Sequence, residues 1–397
     1  MGARTPVDEH VARVHSMLDR LRARMPEPTP LGDALGRILT RDVLSPIDLP
    51  PFRNSQMDGY AVRADDVASA PLSLPVVGEV AAGPVTPAVL KPGTAVKIMT
   101  GAPVPEGADA IVPVEDTLAA NDYVSISRGR SAGEYVRDAG SDLRAGDAIL
   151  RGGIALAPRH LAALAAAGIT EVEVVALVRV AVISTGSELV ASGERLGPGQ
   201  IFDSNGVALA AAVRATGAEV VLEGRVRDDA VELEALLDAA IAVDAELILT
   251  SGGISMGDHE VVRELLEPRG AHVDVLAMQP GGPQALGDWR GVPVVCFPGN
   301  PVSSQLSFEI FVAPLLRELA GLPTRVVETR VLDSAVRSIP GRRQFLRGRR
   351  VGRDGVTLVG GPSSHLVAAL AASDVLIVIP EEVTEVAAGD SVETWAL

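Results

Sequence analysis

Four short loops between residues 184 and 304 hold most of the chain's reactive side chains. STGSEL places Glu188, RDD places Asp228 and Asp229, SGGISMGDHE supplies Gly252, Gly253, Asp258 and Glu260, and FPGNPVSS carries Pro298, Asn300, Pro301 and Ser303. Each follows a run rich in Val, Ile and Leu, so each reads as the loop leaving the carboxyl end of a strand. In an open parallel sheet, that rim is where ligands bind. Paired glycines let backbone amides approach a ligand closely, and Pro301 can start a helix whose amides meet an anion. Amides suit phosphate. Carboxylates repel it unless a divalent cation such as Mg2+ lies between them. The bland alternative is that Asp228 or Glu260 caps a helix, which accounts for one acid more easily than for the set.

Other chemistries fit poorly. GxxxxGK[ST] and HExxH are both absent, which argues against a P-loop nucleotidase and a zincin. Gly253, Ser255 and Gly257 match GxSxG, but a nucleophile elbow needs its serine straight off the strand, with a later acid and histidine. Two glycines intervene here, and His259, His272 and His365 have no setting that marks a base. His10, His15 and His160 fall in helical stretches and read as surface or packing residues. The single Cys296, in VPVVCFP, excludes an internal disulfide or a multi-cysteine metal site and reads as a buried, inert thiol. In the first half, NSQMDGYAVR and IMTGAPVPEGADAIVPVED read by composition as turn chemistry, with Asp58-Gly59 a turn pair.

Positioning these loops requires several domains, since 397 residues correspond to roughly two to four. A net charge of −16 disfavours nucleic acid and anionic membrane partners. No apolar run is long enough to span a membrane, and MGARTPVDEH has no signal pattern, so the expectation is a soluble, cytoplasmic protein. Residues 7 to 24 have helical spacing that MPEPTP ends, and LGDALGRILTRDVL reads as a second short helix leading into an extended stretch. From 46 to about 137, short apolar runs broken by Pro and Gly suggest a small β domain. Residues 141 to 170 read as helix-friendly, most clearly in APRHLAALAAAGI. From about 177, strands alternate with helices, which implies a parallel sheet covered on both faces. The long stretch PVSSQLSFEIFVAPLLRELAG reads as its last helix, and short β runs then close the chain as a small barrel or sandwich.

Taken together, NSQMDGYAVR, MTGAPVPEGADAIVPVED, GEYVRDAGSDLRAGD, STGSEL, RDD, TSGGISMGDHE, FPGNPVSS, RRQFLRG and SSHL resemble the molybdopterin molybdenumtransferases. This family inserts molybdate into the molybdenum cofactor and includes the gephyrin E domain. The resemblance implies a linker domain in two parts (1–48 and 138–176) around an inserted β domain (49–137). An α/β molybdopterin-binding domain (177–324) and a C-terminal β barrel-like domain (325–397) follow. It implies a Mg2+-dependent enzyme that takes molybdate and adenylylated molybdopterin and releases AMP. It further implies a homodimer with a composite site, and contacts with the adenylyltransferase and with molybdoenzymes.

Carried over by motif, the catalytic positions are Asp58, Thr100, Glu188, Asp228 and Glu260, with Asp58, Glu188, Asp228 and Glu260 around the metal. The pterin-nucleotide side takes Arg137, Asp142, Gly252, Gly253, Pro298, Asn300, Pro301, Ser303, Arg347 and Ser364. Glu260 stands where the family usually has Asp. The family's K-x-A-x-K-P-G-K-P reads VLAMQPGGP here, so Val275, Gln279 and Gly282 replace lysines, and Arg263, Arg290 or Arg347 are candidates to compensate. Two rivals share some of these features. A molybdopterin adenylyltransferase can be the α/β unit alone, which the long β insertion and β tail oppose. A non-catalytic binding or scaffolding paralogue is favoured by the missing lysines and opposed by Asp58, Glu188 and Asp228.

Overall fold

The computed structural model describes residues 4–254 and 260–397. Asp258, Ser255 and His259, named above, lie outside the described residues. The chain divides into two compact units, one of residues 26–174 and one of the first 25 residues with 175–397. Among the described residues, no helix is long and apolar enough to cross a membrane. Helix α1 (Val7–Leu18) belongs to the larger unit.

In residues 26–174, a six-stranded sheet is built from β1 (Gly59–Val62), β2 (Leu72–Val80), β3 (Ala95–Ile98), β4 (Ala110–Pro113), β5 (Thr117–Ala120) and β6 (Tyr123–Ile126). Its order is β4-β1-β3-β2-β6-β5. Strand alternation sends Tyr60 and Val62 into one apolar cluster and Ala61 into another. Gly59 admits no side chain, because a Cβ there would lie 2.1 Å from the Val112 carbonyl oxygen. Beside this sheet, Pro26–Pro30 pairs with Glu171–Val175, and Val43–Leu44 with Ala148–Leu150. Helix α2 (Pro158–Ala166) adds Leu164 to a core with Leu39, Leu156 and Val174.

Two local expectations for this unit are corrected. LGDALGRILTRDVL forms only a 3-10 turn, Leu31–Asp33, and extended chain. Gly36 sits at φ +78, and the Leu39 and Thr40 amides donate to the carbonyls of Ile154 and Glu173 (2.9 and 3.0 Å). Pairing with residues more than a hundred positions away thus overrides local helix propensity. The helix read in APRHLAALAAAGI is present as α2, whereas the preceding part of 141–170 is turns and the strand Ala148–Leu150 rather than helix.

The larger unit alternates as the spacing requires. Its elements are β7 (Arg179–Thr185), α3 (Ser204–Ala215), β8 (Glu219–Val226), α4 (Ala230–Ala242), β9 (Leu247–Ser251), α5 (Val261–Leu266), β10 (His272–Val275), β11 (Met278–Gln279), β12 (Pro283–Trp289), β13 (Val292–Phe297), α6 (Pro301–Ser307) and α7 (Ala313–Leu319). The sheet order is β8-β7-β9-β13-β12-β10. Val180, Val182, Leu247, Leu249, Val295 and Phe297 pack on one face with α1, α3, α6 and α7. Ala181, Ile183, Ile248, Val294 and Cys296 pack on the other with α4 and α5. Burial on both faces explains the continuous apolar runs. Phe311, fully buried in the first cluster, is worth about 3–5 kcal/mol against truncation to Ala.

Four strands, β8, β7, β9 and β13, are parallel as expected, but β12 and β10 run antiparallel at one edge. The return from β10 to β12 is too short for a parallel crossover. The last helix is also interrupted: α6 and α7 are separated by a π turn over Phe308–Val312, next to Pro314, which has no amide to donate. The tail closes into a five-stranded barrel of β14 (Val327–Leu332), β15 (Arg343–Val351), β16 (Gly355–Leu358), β17 (Val375–Ile379) and β18 (Ser391–Ala396). Its pairing runs β15-β16-β14-β18-β17 and back to β15, with β11 added outside.

Candidate functional site

A cleft of about 1040 Å3 lies at the carboxyl ends of the parallel strands in the larger unit. Its wall includes Glu188, Asp228, Gly252, Gly253, Glu260, Pro298, Asn300, Pro301, Ser303 and Ser364, so ten residues named from the sequence meet at one site. Because β7 and β8 are parallel neighbours, the loops after them leave side by side. Ser187 N–H donates to Asp228 Oδ2 (3.0 Å), and Asp228 N–H donates back to Ser187 Oγ (3.1 Å). This reciprocal clasp holds Asp228 at the rim. Its neighbour Asp229 caps α4 instead, accepting from the Val231 and Glu232 amides at 2.8 and 3.1 Å. Glu260 occupies the N-cap position of α5, but its side chain makes no capping bond.

Glu188 is exposed, and its carboxylate lies over Gly186: a Cβ at Gly186 would fall 2.7 Å from Glu188 Oε2. The glycines after β9 are needed as such. Gly252 has φ +94 and would set a Cβ 2.5 Å from the Thr185 carbonyl oxygen, while Gly253 has φ +67. The Gly252 amide is taken by the Phe297 carbonyl (3.0 Å), and the Val302 amide at the start of α6 by Ser364 (3.1 Å). These bonds fix the two loops and bring the barrel's Ser364 to the cleft. They also leave fewer free amides than the motifs suggest.

Asp58 and Thr100 are brought together in the smaller unit. Gly59 pairs with Ile98 across β1 and β3, so the residues flanking those strands meet. Asp58 Oδ1 accepts from the Thr100 amide (2.7 Å) and from Thr100 Oγ1 (2.9 Å). These bonds, the backbone one first, hold the Asp58 carboxyl below its usual 3.8. Arg137 and Asp142 lie exposed in the same unit, where Arg137 Nη1 donates to Asn54 Oδ1 at 3.3 Å. Among the described residues, no group of three or more His, Cys, Asp or Glu side chains is assembled to hold a metal.

Arg347 is not part of the cleft wall. It is 1 % exposed and donates to the Gly361 carbonyl, which fixes the segment leading to Ser364. The arginines considered as stand-ins for lysine are elsewhere as well. Arg290 pairs with Asp238 (2.8 Å) and Arg263 with Glu267 (2.9 Å). Val275, Gln279 and Gly282 do line the cleft, and among the described residues the arginines on its wall are Arg4 and Arg342.

Sequence reasoning missed these two, along with Asp203 and Asn205, and set aside His365, which also lines the cleft. Asp203-Ser-Asn before GVALAAAVR is a readable helix cap: Asp203 Oδ1 accepts from the Gly206 amide (2.9 Å) and from Ser184 Oγ (3.1 Å). Asn205 Nδ2 donates to the Gly299 carbonyl (2.7 Å) and so ties α3 to the PGNP loop. Cys296 is buried as expected, its thiol pushed up to about 12 by burial.

Residues 5–168 match the MoeA N-terminal region (domain I and II), 181–318 a probable molybdopterin binding domain, and 329–397 the MoeA C-terminal region (domain IV). The chain is 45% identical over 405 residues to "Molybdopterin molybdenumtransferase 2" of Mycobacterium tuberculosis, covering 98% of this chain and 99% of the relative. It is 35% identical over 393 residues to the molybdopterin molybdenumtransferase of Haemophilus influenzae, covering 94% and 97%. The crystal structure of a molybdopterin biosynthesis MoeA protein from Pyrococcus horikoshii superposes with a TM-score of 0.77 at 35% identity, covering 99% of each chain.

Proposed function

The chain belongs to the MoeA family of molybdopterin molybdenumtransferases, and on that premise we propose that its cleft binds adenylylated molybdopterin, admits molybdate and releases AMP. One observation carries the reading: a single cleft gathers the Glu188 and Asp228 carboxylates with the glycine and proline loops at the ends of adjacent parallel strands. The loops after β9 and β13 supply close backbone approach to the nucleotide-capped pterin. Glu188 and Asp228 fit a Mg2+ ion of the kind held by one or two carboxylates together with substrate phosphate. Glu188 has no side-chain partner among the described residues, and Asp228 keeps one oxygen beyond its bond from Ser187. Bound there, Mg2+ would neutralise charge at the phosphoanhydride. The Ser187–Asp228 clasp and the Asn205–Gly299 bond hold the two sides of the cleft, so positioning and fixed charge supply most of the rate.

The same proposal includes a homodimer in which Asp58 and Thr100 of one copy complete the cleft of the other. Purified full-length protein should release AMP from adenylylated molybdopterin in a molybdate-dependent manner with Mg2+ present. Asp58→Asn and Glu188→Gln should each be inactive alone. Co-expressed as a heterodimer, they should recover a fraction of activity, because one site in the pair is then intact. AMP release that ignores molybdate would refute the transferase reading, and failure of the mixture to recover activity would refute the shared site.

A further inference from the structure

The cleft is charged unevenly along its length. Asp228 and Glu188 follow β8 and β7 at one edge of the sheet, whereas the segment 275–283 leaves β10 at the other. With neighbouring strands about 4.8 Å apart and four to five spacings between them, the two ends are separated by roughly 19–24 Å. At the far end, Arg4 and Arg342 are the only lysine or arginine side chains on the cleft wall among the described residues. They flank the same stretch of chain. Thr5, next to Arg4, bridges Leu276, and Arg343, next to Arg342, pairs with Met278.

Arg4 is held in place, although it lies close to the start of the chain. The Thr5 amide donates to the Val275 carbonyl (3.1 Å), and the Ala277 amide donates to the Thr5 carbonyl (2.8 Å). Thr5 Oγ1 donates to Asp274 Oδ1 (2.8 Å), and Asp274 is itself engaged by Arg13 and by buried His10. Neighbouring Arg343 is committed to Asp8 and Glu381. Arg4 and Arg342 have no carboxylate partner among the described residues, and Arg342 Nε is shut away from solvent with nothing to donate to. Guanidinium groups that line a cleft without a carboxylate partner leave donors for an acceptor on the ligand.

We propose that Arg4 is a substrate-binding residue that, beside Arg342, holds a tetrahedral oxyanion at the end of the cleft away from Glu188 and Asp228. The proposal rests on the transferase reading and adds to it the residue that fixes the ligand's anionic end. Val275, Gln279 and Gly282 on this wall carry no charge, so the cation arrives from the N-terminal segment. The oxyanion is either molybdate or a phosphate group of the pterin nucleotide.

The test measures binding of molybdate, and separately of inorganic phosphate, to the full-length protein by calorimetry, with KM and kcat measured alongside. Arg4→Gln should weaken binding of at least one oxyanion about tenfold or more, with Arg4→Lys recovering most of the loss and Arg290→Gln changing nothing. Loss confined to molybdate identifies the metal oxyanion, and loss confined to phosphate identifies the nucleotide phosphate. KM for the corresponding substrate should rise while kcat stays within about twofold. Wild-type affinity and KM in Arg4→Gln would overturn the inference and leave the transferase reading standing, and a wild-type protein that binds neither oxyanion would also overturn it. Arg4-dependent oxyanion binding by a protein with no molybdate-dependent AMP release would keep the inference and remove the transferase reading.

Discussion

His10 should make the larger unit acid-sensitive, and its surroundings give the size of the effect. The ring is fully buried and packs edge-on against Phe311 at 4.8 Å. Nδ1 lies 3.4 Å from Asp274 Oδ2, while Nε2 is buried without a partner. Burial is the largest influence on it and carries the imidazole from its usual 6.5 down to about 4. The hydrogen bond and charge of Asp274 oppose that shift and do not reverse it. A depressed folded value means that the unfolded chain binds the proton more readily. Stability from this group is therefore complete above pH 6.5 and falls as the pH drops towards 4. At about 1.36 kcal/mol for each pH unit, the whole window is worth about 3 kcal/mol, and roughly 2–3 kcal/mol is lost by pH 4.5. Replacing His10 with Leu removes the titrating group and the orphaned Nε2 at the cost of one long hydrogen bond. Urea unfolding followed by tryptophan fluorescence suits the question, because Trp289 and Trp395 both lie in the unit that contains His10. The stability of His10→Leu relative to wild type should rise by roughly 2–3 kcal/mol between pH 7.5 and pH 4.5. A difference that stays constant over that range would mean that His10 is not buried in its neutral form.

The Asp58 carboxyl should titrate below 3.8 by NMR, and Thr100→Val should move it back up by removing the hydroxyl donor. Asp228→Ala should release the loop after β7 as well as removing a carboxylate, with turnover falling on the order of a hundredfold and tryptophan fluorescence unchanged. Gly252→Ala should cost about 1–3 kcal/mol and most of the activity, because the new Cβ meets the Thr185 carbonyl at a backbone angle that favours glycine. Cys296 should resist thiol reagents in the native protein at pH 8 and react only on unfolding, since burial keeps it protonated.

The α/β rhythm was legible because burial on both faces leaves a strong signature: runs such as VAVIS and LILT have no place except inside a covered sheet. Its loops were legible for the same reason, since a strand's carboxyl end can be located even when the strand's neighbours cannot. What the sequence did not show was pairing over distance. LGDALGRILTRDVL has respectable helical spacing, yet its amides bond to carbonyls near 154 and 173. Nothing local marks β11 as an extension of the barrel, or β12 as antiparallel. Arg347 was a reasonable candidate by motif, but its side chain points into protein, and a motif does not state which face of a strand is buried.

Two adjacent aspartates show where residue type stops being informative. Asp228 and Asp229 have the same chemistry and precede the same helix, and either could cap it. The outcome depends on β7 and β8 being parallel neighbours, which places Ser187 within reach of Asp228 and leaves Asp229 to the helix amides. Arg4 extends the same logic. Its value lies in the Thr5–Asp274 bond, which joins positions 269 residues apart, so an arginine near the start of the chain becomes part of a wall formed by residues 275–282. A lysine-free wall can therefore still present positive charge, provided that the segment supplying it is pinned. That condition can be tested apart from the charge. Thr5→Val, which leaves Arg4 and the Asp274 charge untouched and removes the hydroxyl donor, should weaken oxyanion binding, and unaltered affinity would show that the backbone bonds of Thr5 to Val275 and Ala277 suffice.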